Sequence, residues 1–201
     1  FSYSSVFRNE SVPQISVRQG ISADALFASQ PEKVITLFCH SASRERRPSS
    51  EILEAARKMV TEHPEKFNTA KTRQDFLDIL KLDSDVSYTL WRMNEIGLLS
   101  IIFPEFKNIK GLFTEPNHRL AVHTHTLYVL DILEHLPEQE HPTLQEVKNL
   151  FIEIRKDSEL ILILRLSVLL HDSAKGKYRS FTAGHATYAG QYIVPQALAP
   201  F

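Results

Sequence analysis

The stretch "LLHDSAKGKYRSFTAGHA", residues 169–186, decides the reading of this chain. A run of largely apolar residues from Leu160 to Leu170, cut by Arg165, ends in adjacent His171 and Asp172. Lys175, Gly176 and His185 follow within fourteen residues. An ionisable pair at the end of so apolar a helix is costly unless it is paired or bound to a metal. Neighbours on a helix point about 100° apart. Both can reach one ion if it sits beside the helix end and a third ligand comes from a facing helix. His125 is a natural third ligand. It lies one turn before Val129, on the face that Val129, Leu130, Leu133 and Leu136 share in a helix expected over roughly 119–136. That face must be buried against the 160–170 run.

Nine histidines are present, and three groups carry chemistry: His118, His123 and His125; His171 with Asp172; and His185. Imidazoles with a carboxylate suit Mn²⁺, Mg²⁺, Fe²⁺ or Zn²⁺. With one cysteine and no thiolate cluster, a structural zinc site is not expected. Taken alone, a His-Asp dipeptide reads as a helix-terminal histidine beside an exposed aspartate. His40, His63, His135 and His141 read as surface or turn residues.

The bulk numbers exclude more than they assign. The chain has 201 residues, 43% hydrophobic and 23% charged, with a formal net charge of -1, which suits a soluble domain or two. That balance gives no electrostatic footprint for nucleic acid. The short basic clusters, Arg44 with Arg46 and Arg47 and Lys107 with Lys110, read as solvated faces. No apolar run approaches about 18 residues, so no membrane span is expected. The opening residues lack the basic-then-apolar order of a signal peptide, and the absence of an initial methionine suggests a fragment. Cys39 reads as a buried small hydrophobe, and a lone cysteine excludes an intrachain disulfide and fits a reducing, cytoplasmic setting.

Periodicity predicts an all-α protein with at most one short N-terminal strand, around Ile15 and Val17. Ser22 is expected to cap a helix over 23–29, with Pro31 in the first turn of the next. Ser49 or Ser50 should cap a third that stops before Pro64. Thr72 with Asp75 resembles a capping box before Phe76, Ile79 and Leu80. A helix over 86–96 should end at Gly97, and Pro104 interrupts the next apolar segment. In the second half Thr143 opens a helix, and Ser158 caps the 160–170 run. That run is apolar around most of its circumference and is expected at the centre of a bundle. A last helix should cover 183–199, disturbed by Pro195. The expected organisation is an extended lead-in over 1–20, a helical region over 21–115 and a helical bundle over 116–201.

"HTL" from residue 125, "HDSAKGK" from 171 and then "GHA" resemble the HD superfamily of metal-dependent phosphohydrolases. More narrowly they look like the HD domain of bacterial bifunctional PII uridylyltransferase/uridylyl-removing enzymes. "DALFASQPEKVITLFCHSA" and "TLWRMNEIGLLSIIFPEFKNIKGL" are similar to the helical lead-in of that family. The resemblance covers roughly residues 14–194. It implies His125, His171 and Asp172 as metal ligands, with His185 where two-metal members use another histidine. Mn²⁺ or Mg²⁺ is the expected ion, with Fe²⁺ or Zn²⁺ next. Lys175 would stabilise a phosphoryl oxygen, and Asp172 and Lys175 are the catalytic candidates. His118 could line the pocket, whereas His123 stands where the family has an acidic residue. The implied reaction hydrolyses the uridylyl–tyrosine phosphodiester of the PII signal protein, with neither nucleic acid nor membrane as partner. The family's closing aspartate, a further histidine pair, its transferase domain and its ACT domains have no counterpart in these residues. The chain itself is therefore expected to bind metal weakly and hydrolyse little. The rival readings are a stand-alone HD phosphohydrolase acting on a nucleotide or cyclic dinucleotide, and a metal-free regulatory bundle.

Overall fold

Short polar side chains at the breaks in the sequence start several of the helices, because they accept from backbone N–H groups that lack an intrahelical partner. The computed structural model describes residues 13–16, 20–44, 46–113, 119–176, 185–193, 195 and 199. The fold is all-α. Residues 1–102 and 103–201 form two compact units.

In the first unit, β1 (Gln14–Ile15) leads to α1 (Ala23–Ser29) and α2 (Lys33–Arg44). The expected strand finds a parallel partner in β2 (Arg47–Pro48), with Gln14 opposite Arg47. A two-residue strand has no ladder without such a partner. Then come α3 (Ser50–Glu62), α4 (Ala70–Leu80), α5 (Ser87–Glu95) and α6 (Leu98–Ile102). Ser22 accepts from the Ala25 N–H at 3.1 Å, and Ser49 caps α3. The expected capping box at Thr72 gives way to Thr69, which holds extended backbone and accepts from the Thr72 N–H at 3.1 Å. Gly97 ends α5 with φ +87°, a conformation that favours glycine. α1 packs on α3, and α2 packs on α4 and α5. Phe38, Phe76, Leu80, Leu90 and Met93 are wholly buried there.

In the second unit, α7 (Pro104–Ile109) has its proline at the first helical position, where the missing N–H has no cost. Next are α8 (Val122–Glu134), α9 (Gln145–Lys156), α10 (Ser158–Leu170), a 3-10 turn over Ser173–Gly176 and α11 (His185–Tyr188). α10 packs against α8 and α9, and Leu136, Phe151 and Ile161 form a core with Leu133, Leu144, Ile154 and Leu164 around it. Asp157, rather than Ser158, caps α10, accepting from the N–H groups of Glu159 and Leu160. The expected central position of α10 is also corrected. Leu160 is 50% exposed and Ile163 59%, because α8 and α9 cover only part of its circumference. Of the helix expected over 183–199, the described part is α11 followed by a π-helical turn over Ala189–Ile193. Among the described residues, no helix is long and apolar enough to cross a membrane.

Cys39 is half-buried on α2, its thiol directed at the Asp75 carbonyl at 3.9 Å. Burial, with Asp75 and Asp78 nearby, pushes the thiol up to about 11 from 9.0. Thiolate is the reactive form. At pH 8, iodoacetamide should therefore alkylate native Cys39 about a hundredfold more slowly than it alkylates the guanidinium-unfolded chain. Equal rates would show an accessible, unperturbed thiol.

Candidate metal centre

Two helices bring the site together. α8 carries His125 in its first turn, and α10 ends at Leu170, with His171 as its C-cap residue. The chain then tightens into the 3-10 turn, where the Lys175 N–H donates to the Asp172 carbonyl at 3.0 Å and the Ser173 hydroxyl donates to the Leu170 carbonyl at 2.6 Å. This turn aims Asp172 inward, leaving it 2% exposed. Gly176 is needed for space rather than for backbone freedom. A Cβ there would lie 2.7 Å from the Cβ of Asn108 on α7, so the turn docks closely on that helix.

His125, His171 and Asp172 each offer one ligand atom, all within 4.8 Å of one another. The two imidazoles meet at 63° with centroids 5.8 Å apart. The His171 Nδ1–H donates to the Val168 carbonyl at 2.7 Å. That bond leaves Nε2 turned to Asp172, 3.3 Å from Oδ2. Fixing one ring nitrogen on a carbonyl so that the other can bind an ion is a common arrangement for a ligating histidine. Atoms about 2.1 Å from a shared ion lie up to about 4.2 Å apart, so small side-chain torsions seat all three. The donor set therefore fits a divalent cation.

The electrostatics favour a carboxylate at Asp172. Burial opposes its charge, but hydrogen bonds from His171 and Lys175 prevail and hold it well below the usual carboxylate range. The Lys175 ammonium lies 2.8 Å from Oδ2. The Asp172 hydrogen bond in turn raises His171, against burial. Asp172 thus carries a buried negative charge faced by the His171 ring and the Lys175 ammonium, a balance that an incoming metal can take over.

His118 lies outside the described residues. His185 opens α11, which packs against the turn carrying Lys175, but its side chain is outside what is described. His123 stands apart from the cluster. Its Nδ1 accepts from the Gly111 N–H at 3.1 Å, and its ring meets Phe106 edge-on. Burial, with Lys110 nearby, lowers its proton affinity. His125 is exposed instead of sharing the leucine face. The buried face of α8 runs through Val122, Thr126, Leu127, Leu130, Asp131 and Glu134. Sequence reasoning missed Glu134, which joins Arg165 of α10 in a wholly buried ion pair. The only signal was an arginine inside an apolar run.

With this geometry in hand, the relatives are informative. Residues 16–101 match the family described as the third domain of uridylyltransferase GlnD. The bifunctional uridylyltransferase/uridylyl-removing enzyme of Azospirillum brasilense is 29% identical over 170 residues, covering 80% of this chain and 17% of the enzyme. That of Novosphingobium aromaticivorans is 27% identical over 169 residues, covering 79% and 17%. That of Methylococcus capsulatus is 35% identical over 106 residues, covering 50% and 11%. No solved structure matches the chain. The chain is thus similar to uridylyltransferase/uridylyl-removing enzymes over about four-fifths of its residues, and it spans about a sixth of the length of the first two.

Replacing Gly176 with alanine should force the turn away from α7 and lower unfolding stability by about 1–3 kcal/mol. Urea unfolding measures this, and an unchanged midpoint would contradict the close approach.

Proposed function

We propose that this chain holds a divalent cation, Mn²⁺ or Mg²⁺, on His125, His171 and Asp172, and that the site serves hydrolysis of a phosphodiester. The observation that carries the proposal is the convergence of those three donors within 4.8 Å from two helices far apart in sequence. The substrate proposed is the uridylyl–tyrosine linkage of the PII signal protein. The names of the relatives, which include a uridylyl-removing activity, support that choice.

When bound, the cation supplies Lewis acidity at phosphorus and makes water a competent nucleophile near neutral pH. The residues of the chain do the rest. His171 presents Nε2 because Nδ1 is engaged by Val168. Asp172, itself buried, supplies a fixed negative charge where electrostatic interactions are stronger than in water. Lys175, already against Asp172, brings a positive charge that offsets the growing charge on the phosphoryl oxygens. The water oxygen would bond to phosphorus as the bond to the tyrosyl oxygen breaks, and the proton that the water gives up would end on the departing tyrosyl oxygen. His125, the exposed ligand, faces the side from which a protein substrate can approach.

Calorimetric titration of the chain with Mn²⁺ tests the proposal. Binding should be weaker than micromolar, because the site offers three protein ligands and one is exposed. His171→Ala should abolish it. In the longer protein that contains this segment, the same substitution should slow release of UMP from uridylylated PII by more than about a hundredfold. Unchanged metal content and unchanged release would end the hydrolase reading in favour of a metal-free bundle.

A further inference from the structure

Arg165 and Glu134 have side chains with no exposure, and they join as a fork: Nε donates to Oε1 at 2.7 Å and Nη2 donates to Oε2 at 3.0 Å. Burying two charges is expensive and seldom repaid in stability alone, since apolar residues of similar volume commonly do as well. What a bidentate pair adds is direction, because the planar guanidinium fits a carboxylate in one orientation.

Its location gives that direction a use. Glu134 is the last residue of α8 and lies nine residues beyond His125, about 14 Å along the helix. Arg165 lies six residues before His171, about 9 Å along α10. The fork and the His125–His171 contact are thus two points on one seam, with the helices running in opposite directions. Burial of leucines is non-directional, whereas a bidentate bond holds its two partners in one orientation. The fork is a fixed point on this seam, from which the spacing of the ligands at its other end is set.

We propose that the buried Glu134–Arg165 pair is a positioning element that sets the register of α8 against α10 and so the separation of His125 from His171 and Asp172. The inference rests on the metal-site reading for its purpose, but the register itself is measurable without metal.

The test compares the chain with an apolar pair, Glu134→Leu with Arg165→Met, and with the charge swap, Glu134→Arg with Arg165→Glu. Circular dichroism and the unfolding midpoint verify folding, and titration with Mn²⁺ alone reads affinity. The apolar pair should fold with an unfolding midpoint at or above that of the parent chain, yet bind Mn²⁺ about tenfold to a hundredfold more weakly. The swap should recover part of the loss. If the apolar pair does not fold, Arg165→Lys, which keeps the charge and loses the fork, replaces it. Parental affinity in a folded variant lacking the fork overturns the proposal. A second arm places His125→Cys and His171→Cys in a Cys39→Ala background and measures bridging by a short bifunctional thiol reagent. Bridging should slow several-fold when the fork is removed, and an unchanged rate overturns the proposal. If the parent chain takes up no Mn²⁺, the metal reading fails while this arm still decides the register.

Discussion

The pairing of α8 with α10 is the constraint on which the second unit depends. Each helix alone has an apolar stripe and a few polar residues of no evident use. Together they bury Leu127 and Leu130 of α8 and Ile161 and Leu169 of α10. The same packing carries His125 to the start of the turn that holds His171 and Asp172. Hydrophobic burial supplies most of the driving force, being proportional to apolar area and indifferent to direction. The polar groups give the seam its specificity. The Arg165–Glu134 fork lies within it, and the Asp172, His171 and Lys175 network closes its end.

This division of labour explains why the site is built from backbone detail as much as from side chains. α10 ends, and within a few residues the chain bends so that Asp172 is buried while His171 stays half-exposed. Ser173 returns its hydroxyl to the helix, and Gly176 lets the turn lie against Asn108. A carboxylate in that position keeps its charge because His171 and Lys175 face it. Without such partners a buried carboxyl group tends to become neutral and a poor ligand for a cation.

Much of this was legible in the sequence. The all-α fold followed from periodicity, and several helix starts and stops, at Ser22, Ser49, Gly97 and Pro104, followed from residues with local conformational preferences. The cluster of His125 with His171 and Asp172 was legible because an ionisable pair ending an apolar helix needs a reason. Where the reading slipped, the physics was not local. Thr69 and Asp157 took the caps expected of Thr72 and Ser158, a choice set by which residue holds extended backbone. Full burial of α10 failed at Leu160 and Ile163 because composition does not say how many neighbours a helix has. The Glu134–Arg165 pair joins residues 31 apart and needs three dimensions to be seen. His123 looks like a ligand in one dimension and proves to hold the Gly111 N–H.

The central claim is that two helices present one cation with two imidazoles and one carboxylate. The most direct measurement is an anomalous difference map from a crystal of this chain soaked in Mn²⁺. The account predicts a single strong peak about 2 Å from a ring nitrogen of His125, from Nε2 of His171 and from a carboxylate oxygen of Asp172. A peak held by other residues, with these three left unliganded, would contradict it.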